Sequence, residues 1–74
     1  MSEKLSIAEV AAEIDQEGFG YTIRERFDSD DIEDPELAKL WETAKWSMRK
    51  IELFFEQKLG KNWQTVCYQQ LEDE

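Results

Sequence analysis

The sequence predicts an all-α fold, a small helical bundle in which three short helices pack on one long one. Three observations lead there. Apolar residues recur at helical spacing through most of the chain. Two helix starts are spelled out, Ser6 with Glu9 and Asp34 with Pro35. Gly18 and Gly60 each follow an apolar stripe and supply its stop.

The first helix is expected over about 6–17. Ser6 and Glu9 fit a capping box, and Ile7, Val10, Ala11 and Ile14 fall at i, i+3, i+4, i+7. The next stretch, "GYTIRERF", fits two periods. As a strand it sets Phe19, Tyr21, Ile23 and Phe27 on one face, with Glu25 breaking the row; as a helix it aligns Phe19, Ile23 and Phe27. A lone strand leaves its backbone groups unpaired, and Arg24, Glu25 and Arg26 are good helix formers. The reading is therefore a short helix over about 20–27. The alternative is an α+β fold with 19–27 as a strand paired across a dimer.

The third helix is expected to be the long one, over about 35–59. Asp34 caps it, Pro35 sits at its first position and Gly60 ends it. Leu37, Trp41, Ala44, Met48, Ile51 and Phe55 form a heptad seam, flanked by Leu40 and Phe54. At 1.5 Å per residue such a helix runs roughly 37 Å. The fourth helix, about 62–71, starts at Asn62 and carries Trp63, Val66, Cys67 and Leu71 near one face. The turn at Gly60 would send it back along the long helix.

With 74 residues the chain forms a single domain, 1–74. Folding at this size buries only about 60% of the unfolded chain's surface. Cys67 is the only cysteine and His is absent, so neither a disulfide nor a zinc site supports the fold. Dense aromatic packing or a partner subunit remains, and a homodimer is the simplest expectation.

The net charge is −9, which argues against direct binding to nucleic acid or to an anionic membrane. The lone cysteine and the acidic start, without an export-type apolar core, point to the cytoplasm. Catalysis is not expected. The commonest general base is missing, and no nucleophile elbow or phosphate loop occurs. No cofactor or metal is expected either.

Two features remain as candidate partner sites. The first is the acidic segment Asp28, Asp30, Asp31 and Glu33, which continues into Asp34 and Glu36. As a calcium loop it begins well with Asp28 and Asp30. It then places Ile32 at position 5, Glu33 where glycine is needed and Lys39 at position 12. Acids ahead of a helix also complement its dipole without any ligand. What exceeds that role suits a protein with a basic surface, and in the alternative reading mimics nucleic acid. The second feature is an apolar spot, Trp46 and Leu53 with Arg49 at its rim, flanked by Lys39, Lys50 and Gln57. Together these features suggest a non-enzymatic acidic interaction protein, a regulator or inhibitor that acts by binding another macromolecule.

Overall fold

A computed structural model of the chain describes residues 4–44 and 47–72. The described residues are mostly helical, with helices α1 (Ile7–Glu17), α2 (an α turn Phe19–Tyr21 continuing as a π turn Thr22–Arg26), α3 (Pro35–Thr43), α4 (Met48–Leu59) and α5 (Trp63–Glu72). A single 3-10 turn, Ser29–Asp31, precedes α3.

Helix α1 starts as its sequence dictates. The Glu9 N–H donates to Ser6 Oγ at 3.2 Å and the Ser6 N–H donates to Glu9 Oε1 at 2.9 Å, a complete capping box. Its buried face is wider than one stripe, with Ala8, Val10, Ala11, Ala12 and Ile14 all out of solvent. A helix covered on so many sides sits at the centre of the fold. Its alanines let α5 approach closely, and α5 runs antiparallel to it. Gln64 lies near Ile14 and Asp15, while Gln70 lies near Ile7 and Ala8.

The "GYTIRERF" stretch is helical. Burial separates the two periods: Ile23 is 2% exposed while Tyr21 is 48% exposed. A strand would have placed both on one face. Thr22 is fully buried, and its hydroxyl donates to the Glu13 carbonyl at 3.2 Å, which fastens the π turn to α1. The helix ends at Phe27, whose backbone is extended. The Phe27 ring stacks on Trp41 with centroids 5.1 Å apart.

The expectation of one long helix over 35–59 is corrected. The helix is interrupted between Thr43 and Met48, and its halves fold back on each other. Lys58 Nζ, near the end of α4, lies 3.4 Å from Glu36 Oε1 at the start of α3. In a continuous helix those residues would stand about 33 Å apart. The chain turns at Ala44 (φ −133°, ψ 30°) and resumes its helix from Ser47, whose side chain caps nothing. The Thr43 hydroxyl donates back to the Lys39 carbonyl at 2.9 Å, an i−4 bond that bends helices.

The physical reason for the break is coverage. The fold extends 32 × 28 × 22 Å, and a 37 Å rod would outrun anything three short helices can shield. Folded in half, the seam residues Leu37 and Trp41 from α3 and Ile51 and Phe55 from α4 reach one core, joined by Phe54 from the flank, while Met48, expected in the seam, stands 51% exposed. The bundle is therefore organised on α1 rather than on residues 35–59.

One segment had no counterpart in the sequence reading. Leu5 pairs with Ile32 in an isolated parallel bridge. The Leu5 N–H donates to the Asp31 carbonyl at 2.7 Å, and the Glu33 N–H donates to the Leu5 carbonyl at 2.8 Å. Ile32, alone among acids, is 2% exposed and belongs to the core.

Gly18 (φ +89°) and Gly60 (φ +94°) adopt backbone conformations that side chains disfavour, and neither has a neighbour that an added Cβ would strike. Gly20 is different: its φ is ordinary and its nearest contact is the flexible end of Arg24 at 3.8 Å. Gly60→Ala is thus expected to cost about 1–3 kcal/mol through backbone strain alone. Gly20→Ala should be neutral or stabilising by up to about 1 kcal/mol through reduced freedom of the unfolded chain. Paired urea titrations check this, and equal losses at the two sites would contradict it.

Candidate functional site

Helices α3 and α4 lie side by side and antiparallel, leaving a groove on their outer surface. Its lining repeats one pattern twice. From α3 come Glu36, Lys39, Leu40 and Thr43; from α4 come Lys50, Leu53, Phe54 and Gln57. Each set falls at i, i+3, i+4, i+7, one helix face two turns long. The cleft measures about 430 Å³.

The floor is apolar. Phe54 is 5% exposed and Leu40 is half-buried, while Leu53 stands 41% exposed. One end is closed by Lys58, which lies 5.6 Å from the Phe54 ring centroid and also pairs with Glu36. This contact compensates the Glu36 charge. Lys39 and Lys50 enter no ion pair among the described residues. The groove is therefore locally positive in a chain of net charge −9.

The sequence had pointed to Trp46, Arg49 and Leu53 as one spot. Trp46 lies outside the described residues. The expectation that joined it to Leu53 rested on one continuous helix over 35–59. Arg49 is exposed and lies 3.9 Å from Glu56, away from the groove lining. Leu53 does sit in the groove, together with the Lys39, Lys50 and Gln57 expected to flank it. Leu40 and Phe54, read from sequence as the flank of the seam, complete the floor. The repeated i, i+3, i+4, i+7 pattern was visible in the sequence. That the two copies face the same cleft depends on the hairpin.

The acidic segment is divided by its own fold. Asp28, Asp30, Asp31 and Glu33 are all exposed. Asp28 and Asp30 border an open polar cleft with Ser29, Trp41 and Glu42. Glu33, beyond the buried Ile32, borders a separate, mixed cleft with Ser6, Ile7, Pro35 and Gln70. Part of the acid content has a structural use. The Asp31 carboxylate accepts the Asp28 N–H at 3.1 Å, and Asp34 Oδ1 accepts the Leu37 N–H at 2.9 Å to cap α3. Trp41 is buried, and its indole N–H meets no acceptor among the described residues. Among those residues no cluster of three or more acids or thiols is placed to hold a metal ion.

Cys67 is fully buried, and its thiol donates to the Gln64 carbonyl at 3.3 Å. Burial pushes this thiol up from its ordinary value. The Tyr68 hydroxyl donates to Asp15 Oδ2 at 2.8 Å, tying α5 to the end of α1. Partial burial first, and then the bond to Asp15, push this phenol up as well. Both groups hold their protons more tightly in the folded state than in the unfolded chain. Their contribution is whole below the thiol's ordinary value of about 8.5 and drains as pH rises through the thiol and then the phenol range. The melting temperature is expected to fall from about pH 8.5 to 11, and less steeply in Cys67→Ala/Tyr68→Phe. Identical slopes in the two proteins would contradict the assignment.

Among the described residues no helix is long and apolar enough to cross a membrane. Comparison with family models, with curated proteins and with solved structures found no match.

Proposed function

We propose that the protein is a non-enzymatic interaction module that docks another macromolecule in the α3–α4 groove and regulates or inhibits it. One observation carries the reading: Leu53 stands 41% exposed on an apolar floor that two helices frame over two full turns each. Two antiparallel helices with an uncovered seam form two-thirds of a three-helix packing unit. A third element placed there covers Leu40, Leu53 and Phe54 and removes their contact with water. The fold supplies rigidity for such a role, since both walls are anchored by core residues, Leu37 and Trp41 on α3, Ile51 and Phe55 on α4.

Leu53→Asp tests the reading. The site is exposed enough that the fold should survive, with circular dichroism and melting temperature close to wild type. Affinity capture from source cells, with wild type and variant in parallel, should show partners held by the wild type and lost by Leu53→Asp. Partners captured equally by both would place the interface elsewhere on the molecule.

A further inference from the structure

We infer that the occupant of the α3–α4 groove is an acidic amphipathic helix of a partner protein, with apolar side chains on Leu40, Leu53 and Phe54 and carboxylates against Lys39 and Lys50. This rests on the docking reading above and adds the chemistry of the partner.

The helical form follows from the walls. Both present an i, i+3, i+4, i+7 face, and the cleft between such faces accepts a third helix that offers the same spacing. The groove has no sheet edge to pair with. An extended segment laid on this floor would bury backbone groups without partners, whereas a helix satisfies its own. The lining spans eight residues on each wall, about 10 Å from first to last, which matches two turns of an occupant.

The acidic character follows from the rim. Among the described residues Lys4, Arg24 and Lys61 also make no ion pair, so it is position that singles out two of the lysines. Lys39 on one wall and Lys50 on the other both border the apolar floor, and neither is paired with an acid among the described residues. Glu36, the acid in the lining, is already compensated by Lys58. Carboxylates flanking an apolar stripe would meet both lysines at once. The net charge repels an acidic partner at long range, but screening over about 8 Å at physiological salt leaves the nearest charges to decide the docked state.

The same lysines disfavour a second copy as occupant. Isologous pairing through this groove uses the same patch twice and brings two sets of lysines together over one floor.

Binding of synthetic helical peptides tests the inference. Three peptides of about 18 residues share leucines at i, i+3, i+4, i+7 and differ only in flanks of glutamate, glutamine or lysine. Fluorescence anisotropy should show the glutamate peptide binding roughly tenfold tighter than the glutamine peptide, with the lysine peptide weakest. Lys39→Glu/Lys50→Glu should reverse that order, and Leu53→Asp should abolish binding of all three. If all three peptides bind alike, or the double variant keeps the wild-type order, the acidic occupant is overturned while docking in the groove stands. If no peptide binds, or if sedimentation shows a dimer that Leu53→Asp dissociates, the partner helix itself is overturned.

Discussion

Replacing Phe55 with alanine is expected to remove about 3–5 kcal/mol of stability, the usual cost of truncating a buried phenylalanine. The ring is fully buried where three elements meet. It stacks on Trp63 with centroids 5.0 Å apart and meets Phe54 edge-on at 6.0 Å, and it borders Ile14 of α1 in a small cleft. Phe55 thus joins α4 to α5, and both to α1. A domain of 74 residues holds about 4–11 kcal/mol in total, at 0.05–0.15 kcal/mol per residue. The loss is a large fraction of that sum, and at the lower end it unfolds the protein. Urea denaturation followed by tryptophan fluorescence measures it. A loss under about 1.5 kcal/mol would mean that the site collapses around the cavity and that the three-way junction is not as rigid as the stacking implies.

Leu53→Ala makes the contrast. That side chain is 41% exposed, so truncation removes little buried area and is expected to fall within about 0.5–1 kcal/mol. Phe55 and Leu53 are two residues apart on one helix. The difference between them separates what holds the fold from what the fold presents.

The parts of this fold that local chemistry decides were legible in the sequence. Ser6 and Glu9 cap each other, Asp34 caps α3, and Gly60 ends α4 with its N–H on the Glu56 carbonyl at 2.9 Å. Each signal acts within four residues and needs nothing from the rest of the chain. The break between Thr43 and Met48 carries no such signal. No glycine or proline marks it, and the 4-3-4-3-4 seam from Leu37 to Phe55 is as compatible with two helices facing one core as with one helix. Only tertiary coverage distinguishes the two. Ile32 was obscured in the same way. Its acidic neighbours suggest a solvated loop, and its burial depends on Leu5, more than twenty-five residues away, supplying a backbone bridge. The groove inherits both conditions. Leu40 and Phe54 were read from sequence as flanks of the seam, and Leu53, Lys39, Lys50 and Gln57 as parts of a separate spot, but their convergence required the hairpin.

The hairpin itself gives the second large effect. Nitroxide labels at Glu36→Cys and Lys58→Cys are expected to lie within about 20 Å and to broaden the continuous-wave spectrum by dipolar coupling, where a continuous helix would hold them about 33 Å apart. Cys67 does not interfere, since its thiol is fully buried and is pushed up, away from the reactive thiolate. The energetic comparison favours the hairpin. Closing the break would restore at most about four backbone hydrogen bonds, each with a net value near 1 kcal/mol. Straightening would pull either Leu37 and Trp41 or Ile51 and Phe55 from the common core, and each large apolar side chain lost to water costs about 1.5–3 kcal/mol. It would also unstack Phe27 from Trp41 or Trp63 from Phe55. The losses exceed the gain, so the bend should persist even when Thr43→Ala removes the hydroxyl that bonds back to Lys39. A label separation above about 30 Å in the wild-type background would remove the hairpin and with it the groove, because Leu40 and Leu53 then face solvent on separate turns of one rod.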